Sequence, residues 1–450
     1  VVEKLAYQMF LVRLSRGFIK NFMFRMSDLL ELPYEKCDEL LVPYETGDDE
    51  EEEEEQTQTQ TRTRKFTASS LSRNMSHVLK DGYYEKDAME VTTLTQGEQG
   101  EESFVGCHSG SRITNHVFAV GNQGGKVILF SLISPYTKTE LSGSHTAPIL
   151  HLGRKENWIT TSSSDKTVKV WDVGTSSLAF TLEGHTDAVN WSDISVEDRL
   201  LISASVDKSV RIWDLRMASC LASLVGHKDA VSVTKFHNPT YLLSAGEDAT
   251  VRVWDIRKLQ PLHTLHGHTA PILTLESVRG GEAYTHSSTV GSVYTSSVDG
   301  SVRVWDVGLG SAKKVLTVGG SVGCMKVIPK KNLLVTGSSD STVKMWKLDA
   351  GDQIKTLRGH RSAVCSLEVL ENETIVSGGQ NGEIRIWDGK KKKCVRVLQG
   401  HSGPVECVGS NPNVYFPQIV SVGGAGEVRL WQYHQMPSEK GKKEALLPFK

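Results

Sequence analysis

Four residue types return in fixed order and spacing through most of this chain. His145, Thr161, Asp165 and Trp171 are followed by His185, Ser203, Asp207 and Trp213, then by His227, Ser244, Asp248 and Trp254, then by His268, Thr295, Asp299 and Trp305. In every copy Asp stands six residues before Trp, and Ser or Thr stands four before Asp. A period of roughly forty residues constrains the fold more than any other feature. One such unit cannot bury its own apolar face, so the copies must stack on one another.

The end of each copy predicts a hairpin. Ser164-Asp165-Lys166-Thr167 and Val298-Asp299-Gly300-Ser301 are rich in turn formers. Alternating segments such as Val168-Lys169-Val170-Trp171 follow them, and short β runs such as Leu200-Leu201-Ile202-Ser203 come before comparable turns. A Leu stands three residues before the His position in five copies, at Leu182, Leu224, Leu265, Leu357 and Leu398, inside a further β run. Each repeat therefore predicts four antiparallel strands.

These residues resemble the WD40 family of β-propellers, over roughly residues 91–433. The resemblance implies an all-β fold of four-stranded blades around a central channel. It also implies that the tetrad is structural, with Asp orienting His, His bonding Ser or Thr, and Ser or Thr accepting from the Trp indole. Third strands end at Phe130, Trp171, Trp213, Trp254, Trp305, Trp346, Trp387 and Trp431, which predicts eight blades. The first is the most divergent, with Phe130 for Trp and Gly124 for Asp. Seven blades remain if its hairpin is a flap.

Charge is balanced, with 51 Lys+Arg against 53 Asp+Glu, so no global field favours nucleic acid or a membrane surface. Seven cysteines are scattered without a Cys-x-x-Cys pair, which argues against a zinc site or a disulfide framework. That usage predicts an intracellular chain; a cytoplasmic rather than nuclear location is expected. No apolar run reaches the length of a transmembrane helix. No cofactor motif stands out.

Four regions are expected. Residues 1–47 carry Leu5, Met9, Val12, Phe18, Ile19 and Phe22 at helical spacing, with basic residues between them. This predicts a helical segment, and the start at Val1 suggests the end of a missing upstream domain. The segment is faintly similar to a closing helix of DENN-type domains, and BEACH-type domains are another pairing. Partner-binding or membrane-surface roles for the helix stay open, whereas an F-box is disfavoured. Residues 48–89 predict a disordered acidic and polar linker, since 48–55 are eight consecutive acids. The Ser/Thr-rich and basic stretch 62–76 is a candidate phosphorylation target. Residues 90–433 form the propeller, and 434–450 a flexible tail.

Several departures carry expectations of their own. Gly320 replaces His in the blade ending at Trp346, and Asn381 and Ala425 replace Asp before Trp387 and Trp431. Packing rather than a polar network should hold those blades. About ten extra residues before Trp305, around 277–291, should lie between first and second strands, on the face opposite the Asp turns. A basic residue stands two before each Trp from Trp171 onward, either lying along the blade or forming a phosphate-reading ring. The run Lys390 to Lys393 reads as a solvated turn.

The tetrad also contains the residue types of a hydrolase triad. Four complete copies point to a repeated structural part, because an enzyme needs one site. The expected function is a non-enzymatic scaffold that binds peptides or protein domains on its faces. A second reading comes from Trp213-Asp214-Leu215-Arg216 and Trp254-Asp255-Ile256-Arg257. They resemble the signature of substrate receptors of a cullin-4 ubiquitin ligase, in which Arg216 and Arg257 would dock the ligase adaptor. A third reading is the C-terminal part of a DENN- or BEACH-type trafficking protein. Ring closure should use the chain before the first blade: residues 90–94 should pair with 427–431, ahead of the competing segment 445–449.

Overall fold

A computed structural model describes residues 89–95, 104–106, 117–132, 137–195, 199–278, 291–370, 373–411 and 418–433. The expected N-terminal helix, acidic linker, phosphorylation target and C-terminal tail lie outside these residues, as does most of the 277–291 insertion.

The described residues form eight four-stranded antiparallel sheets. They are the blades of a propeller, numbered here in chain order, with strands a to d running from the channel outward. Blade 3 shows the pattern: Val189–Ser195, Leu200–Ser205, Ser209–Asp214 and Ser219–Val225 pair in sequence order. The only helical turn among the described residues is Pro329–Lys331, a single 3-10 turn between strands of blade 6.

Middle strands are buried on both faces because each sheet packs between two others. In Leu200–Ser205 every residue after the first is buried. Successive side chains alternate between neighbouring blades. Val168, Val170 and Leu182 of blade 2 pack with Val189, Leu201 and Trp213 of blade 3.

The same alternation makes the divergent first hairpin a true blade. From Val117–Asn122 and Val127–Ser131, Phe118, Val120, Ile128 and Phe130 pack on Val420, Val428 and Leu430 of blade 8. Ala119, Val127 and Leu129 face the other way, onto Ile149, Ile159 and Trp171 of blade 2. A peripheral flap would bury only one side.

Met89–Thr95 closes the ring. It pairs antiparallel with Glu427–Tyr433 as the outer strand of blade 8, with Val91 opposite Trp431 and Thr93 opposite Arg429. The chain before blade 1 thus covers the edge that the last blade would otherwise expose. The competing segment 445–449 lies outside the described residues.

The a–b and c–d turns of a blade share one face. Leu215 N donates to Arg199 O at 2.9 Å in blade 3, and Ile256 N to Thr240 O at 2.8 Å in blade 4. Strands a and b of blade 5, Ile272–Ser277 and Ser292–Ser297, are joined through residues 279–290, which lie outside the described residues, so the expectation for the insertion falls there too.

Inner strands are tied by a ladder of alternating charge. Asp193, Lys235, Glu276, Lys326 and Glu368 occupy one register position in blades 3 to 7. Lys235 Nζ lies 2.8 Å from Glu276, and Lys326 Nζ 3.4 Å from Glu368. Asp193 Oδ2 accepts from Phe236 N at 3.0 Å. Burial alone would lower the Lys326 ammonium, but Glu368 and Glu276 outweigh it and hold its pKa above the ordinary value.

Candidate functional site

The tetrad is assembled from three parts of each blade. His comes from the loop entering strand a, Ser or Thr from strand b, and Asp and Trp from the b–c turn and strand c. The structure brings all four together in blades 2 to 5. Nδ1 of His145, His185, His227 and His268 lies 2.7–2.9 Å from Asp165, Asp207, Asp248 and Asp299. Nε2 of the same rings lies 2.7–2.9 Å from Thr161, Ser203, Ser244 and Thr295. The Trp indoles donate to those hydroxyls at 2.8–2.9 Å.

Direction follows from chemistry. An indole N–H only donates, so the hydroxyl oxygen accepts from it and gives its own proton to Nε2. Nδ1 therefore carries the ring proton and donates to the carboxylate. The four hydroxyl-bearing residues are fully buried. Each Asp also accepts a backbone N–H from the residue after His, as in Lys228 N to Asp248 Oδ2 at 2.9 Å, which ties the loop to the turn.

Burial and pairing act oppositely on the carboxyls. Burial alone would raise Asp299, but hydrogen bonds from Ser301 and His268 outweigh it and bring it down to about 2. Asp207 and Asp248 are lowered against burial in the same way, by His185 with Ser209 and by His227 with the Lys228 amide. Burial lowers His145 and His268 despite their carboxylate neighbours, so the neutral imidazole is favoured.

The three departing blades differ from one another. In blade 8 the expectation of a blade without a polar network is corrected. Glu427, two residues beyond Ala425, places Oε2 3.1 Å from His401 Nδ1, while His401 Nε2 and the Trp431 indole meet Ser421 at 2.6 and 2.7 Å. In blade 6, Trp346 still donates to Thr336 at 3.1 Å, and Lys344 takes up the turn that has no His, bonding Asp340 at 3.1 Å and the Val318 carbonyl. Blade 7 keeps His360, Ser377 and Trp387 in contact, but His360 Nδ1 is buried without a hydrogen-bond partner. Burial, with help from Arg385, lowers this ring to about 4. A carboxylate two residues after the usual Asp position was the sequence signal for Glu427, and it was missed.

The basic residues two before Trp lie along the blade. The guanidinium carbons of Arg211, Arg252 and Arg385 sit 5.9 Å from the ring centroids of Trp213, Trp254 and Trp387. Their guanidinium groups crowd Gly184 and Gly226, the residues just before His185 and His227. A Cβ on Gly184 would come within 2.6 Å of Arg211 Nη1, and one on Gly226 equally close to Arg252 Nη1.

Arg216 and Arg257 are exposed in the c–d turns of neighbouring blades. Their backbone N–H groups donate to Asp214 and Asp255 at 2.7 and 2.9 Å, leaving the side chains directed outward from matching turns. Lys390 to Lys393 are exposed in the corresponding turn of blade 7.

Comparison with known proteins agrees with this geometry. The WD domain, G-beta repeat family matches seven segments, 137–172, 176–214, 218–255, 259–306, 312–347, 351–388 and 392–432, together more than half of the chain. Each segment begins near an outer strand and ends with strand c, so the sequence repeat is offset from the blade and the divergent hairpin of blade 1 falls outside the matches. The COMPASS component SWD3 of Saccharomyces cerevisiae is 39% identical over 61 residues, 13% of this chain. The match spans only 19% of the length of that curated relative. The crystal structure of the computationally designed Ika8 protein aligns with a TM-score of 0.63 at 26% identity, covering 74% of this chain and 98% of the designed one. With matched repeats, eight paired sheets and assembled tetrads, the chain belongs to the WD domain, G-beta repeat (WD40) family.

Proposed function

We propose that the chain is a non-enzymatic scaffold that binds peptides or protein domains on its propeller faces. The observation that carries this reading is the state of the tetrad hydroxyls. Thr161, Ser203, Ser244 and Thr295 are fully buried and already engaged by an indole and an imidazole, so they join strands instead of facing a substrate. What the ring offers to solvent is turns on a rigid frame, a common setting for recognition. The same reading puts the protein inside the cell, where scattered thiols stay reduced, and in the cytoplasm as its working location. The test is Ser203→Ala in the full chain, assayed for folding and against ester, amide and phosphoester substrates. Loss of a specific hydrolysis with folding intact would sink the scaffold reading.

A second reading is a substrate receptor of a cullin-4-type ligase. It is favoured by the exposure of Arg216 and Arg257 at matching positions on adjacent blades. Charge reversal at both should abolish co-purification with the ligase adaptor. Failure of the unmutated chain to retain any adaptor would remove this reading.

A further inference from the structure

The tetrad of blade 7 lacks only a carboxylate. His360 Nε2 lies 2.7 Å from Ser377 Oγ, and the Trp387 indole donates to the same hydroxyl at 2.8 Å. Position 381, four residues after Ser377 and six before Trp387, holds Asn. Ser377 accepts from the indole and gives its proton to Nε2, so His360 Nδ1 carries the ring proton. That N–H is buried and meets no acceptor, whereas in blades 2 to 5 it meets an aspartate.

Asn381 stands close to that ring but is turned to other partners. Its Oδ1 accepts from Ser362 Oγ at 2.9 Å, and its Nδ2 donates to Glu383 Oε2 at 3.3 Å. A Cβ placed on Gly379 would lie 2.8 Å from Asn381 Oδ1 and 2.9 Å from His360 Nδ1, so both atoms border the space this glycine leaves. Ser163, Ser205, Ser297 and Ser338 occupy the same register position in blades 2, 3, 5 and 6. A carboxylate at position 381 has no donor to offer Glu383 and is repelled by it, which turns it toward His360.

The sequence at this turn favours making that carboxylate. Asn381 is the only Asn in the chain that Gly follows. An Asn side chain closes most readily on the backbone nitrogen of a following Gly, because no side chain shields that nitrogen. Asn381 is exposed, and Gly382 has φ 80°. A Cβ on Gly382 would fall 2.3 Å from the His401 carbonyl oxygen in the loop entering blade 8, so the turn itself calls for Gly. Gly382 N donates to Gly379 O at 3.1 Å, so ring closure waits on a transient opening of this turn.

We propose that Asn381 is a self-modification site, at which spontaneous deamidation creates the missing carboxylate and completes the blade 7 tetrad. Gly382 N attacks Asn381 Cγ. As that N–C bond forms, the Cγ–Nδ2 bond breaks, and Nδ2 leaves as ammonia with the proton given up by Gly382 N. Water then adds to Cγ of the cyclic imide and breaks the new N–C bond, which restores the Gly382 N–H and leaves an aspartate at position 381. Asparagine and water thus give aspartate and ammonia, with no change of oxidation state and no enzyme. The change is one-way and takes the ring from four aspartate tetrads to five.

The test holds the full chain, folded and in denaturant, at physiological temperature and neutral pH and samples both over weeks. Peptide mass spectrometry follows the Asn381 segment, and fragmentation separates the aspartyl from the isoaspartyl product. NMR follows the His360 ring. The folded chain is expected to accumulate aspartate at position 381 and, in step, a population in which His360 titrates well above about 4. Asn381→Asp should show that shifted titration from the start and unfold at higher denaturant than the parent. Asn381→Gln, whose longer side chain closes the ring poorly, should age without either change. Conversion confined to the unfolded chain, or an isoaspartyl product alone, would overturn the proposal. So would an Asn381→Asp variant whose His360 stays at the parent value or that unfolds at lower denaturant.

Discussion

Glu427 Oε2 lies 3.1 Å from His401 Nδ1, in the role that an aspartate two residues earlier in the turn plays in four other blades. The longer side chain reaches back from strand c to the same ring nitrogen. Its pKa is lowered: Ser402, Arg429 and His401 stabilise the charged form against the opposing effect of burial. Glu427→Ala should leave a buried imidazole donor unpaired and cost about 1–3 kcal/mol. Chemical denaturation measures this, and a loss within error of zero would show that packing alone holds blade 8.

Blade 7 carries a Glu at the equivalent position, and it behaves differently. Glu383 pairs with Arg385 at 2.5 Å and accepts from Asn381 Nδ2 at 3.3 Å, while His360 Nδ1 stays unpartnered. Asn381 stands where blade 8 has the shorter Ala425. Asn381→Ala should free Glu383 to reach His360 and raise that ring from about 4. An NMR titration that finds the imidazole unmoved would refute this account of the difference.

The tetrads should differ in worth. Asp248→Ala removes the acceptor of His227 and should cost about 1–3 kcal/mol. Asp340→Ala removes a partner of Lys344, which keeps the Val318 carbonyl, so its cost should be smaller. Equal losses in a denaturant series would contradict this ranking.

Acid should destabilise the ring in two stages. His360 is lowered from 6.5 to about 4, and His145, His268 and His401 are lowered in the same direction, chiefly by burial. The folded state favours their neutral form. Their contribution is complete above the unfolded value and is lost as pH falls from 6.5 towards 4. Asp299, lowered from 3.8 to about 2, contributes above its unfolded value and loses that contribution between the two. Both effects have the same sign because the unfolded chain binds more protons. Melting temperature should decline below pH 6.5 and again below about 4. A flat profile from 6.5 to 4 would rule out the histidine stage.

Ring closure gives the sharpest truncation. Removing residues 1–88 should leave a folded propeller, because Met89–Thr95 still pairs with Glu427–Tyr433. Removing residues 1–96 uncovers that edge and should lower the melting temperature markedly. Similar melting of the two truncations would show that the strand contributes nothing to closure.

The sequence by itself determined the repeat, the hairpin turns and the third strands ending from Phe130 to Trp431. Spacing and alternation are local properties that survive without coordinates. It also located the closing strand, because an outer strand that directly precedes the next blade leaves one strand to be supplied from before blade 1. The tetrads in blades 2 to 5 were legible for the same reason: their members recur at fixed intervals.

Only the tertiary structure decided whether blade 1 was a blade, since that depends on Phe118 and Phe130 finding Val420 and Leu430 from the far end of the chain. It also decided the fate of two glutamates at one repeat position, Glu383 on Arg385 and Glu427 on His401. The neighbour already present in the turn, Asn381 in blade 7 and Ala425 in blade 8, settles that choice. Lys235 with Glu276 and Lys326 with Glu368 were invisible in the same way. Each pair spans two blades, and a repeat pattern says which residues are equivalent but not which of them meet.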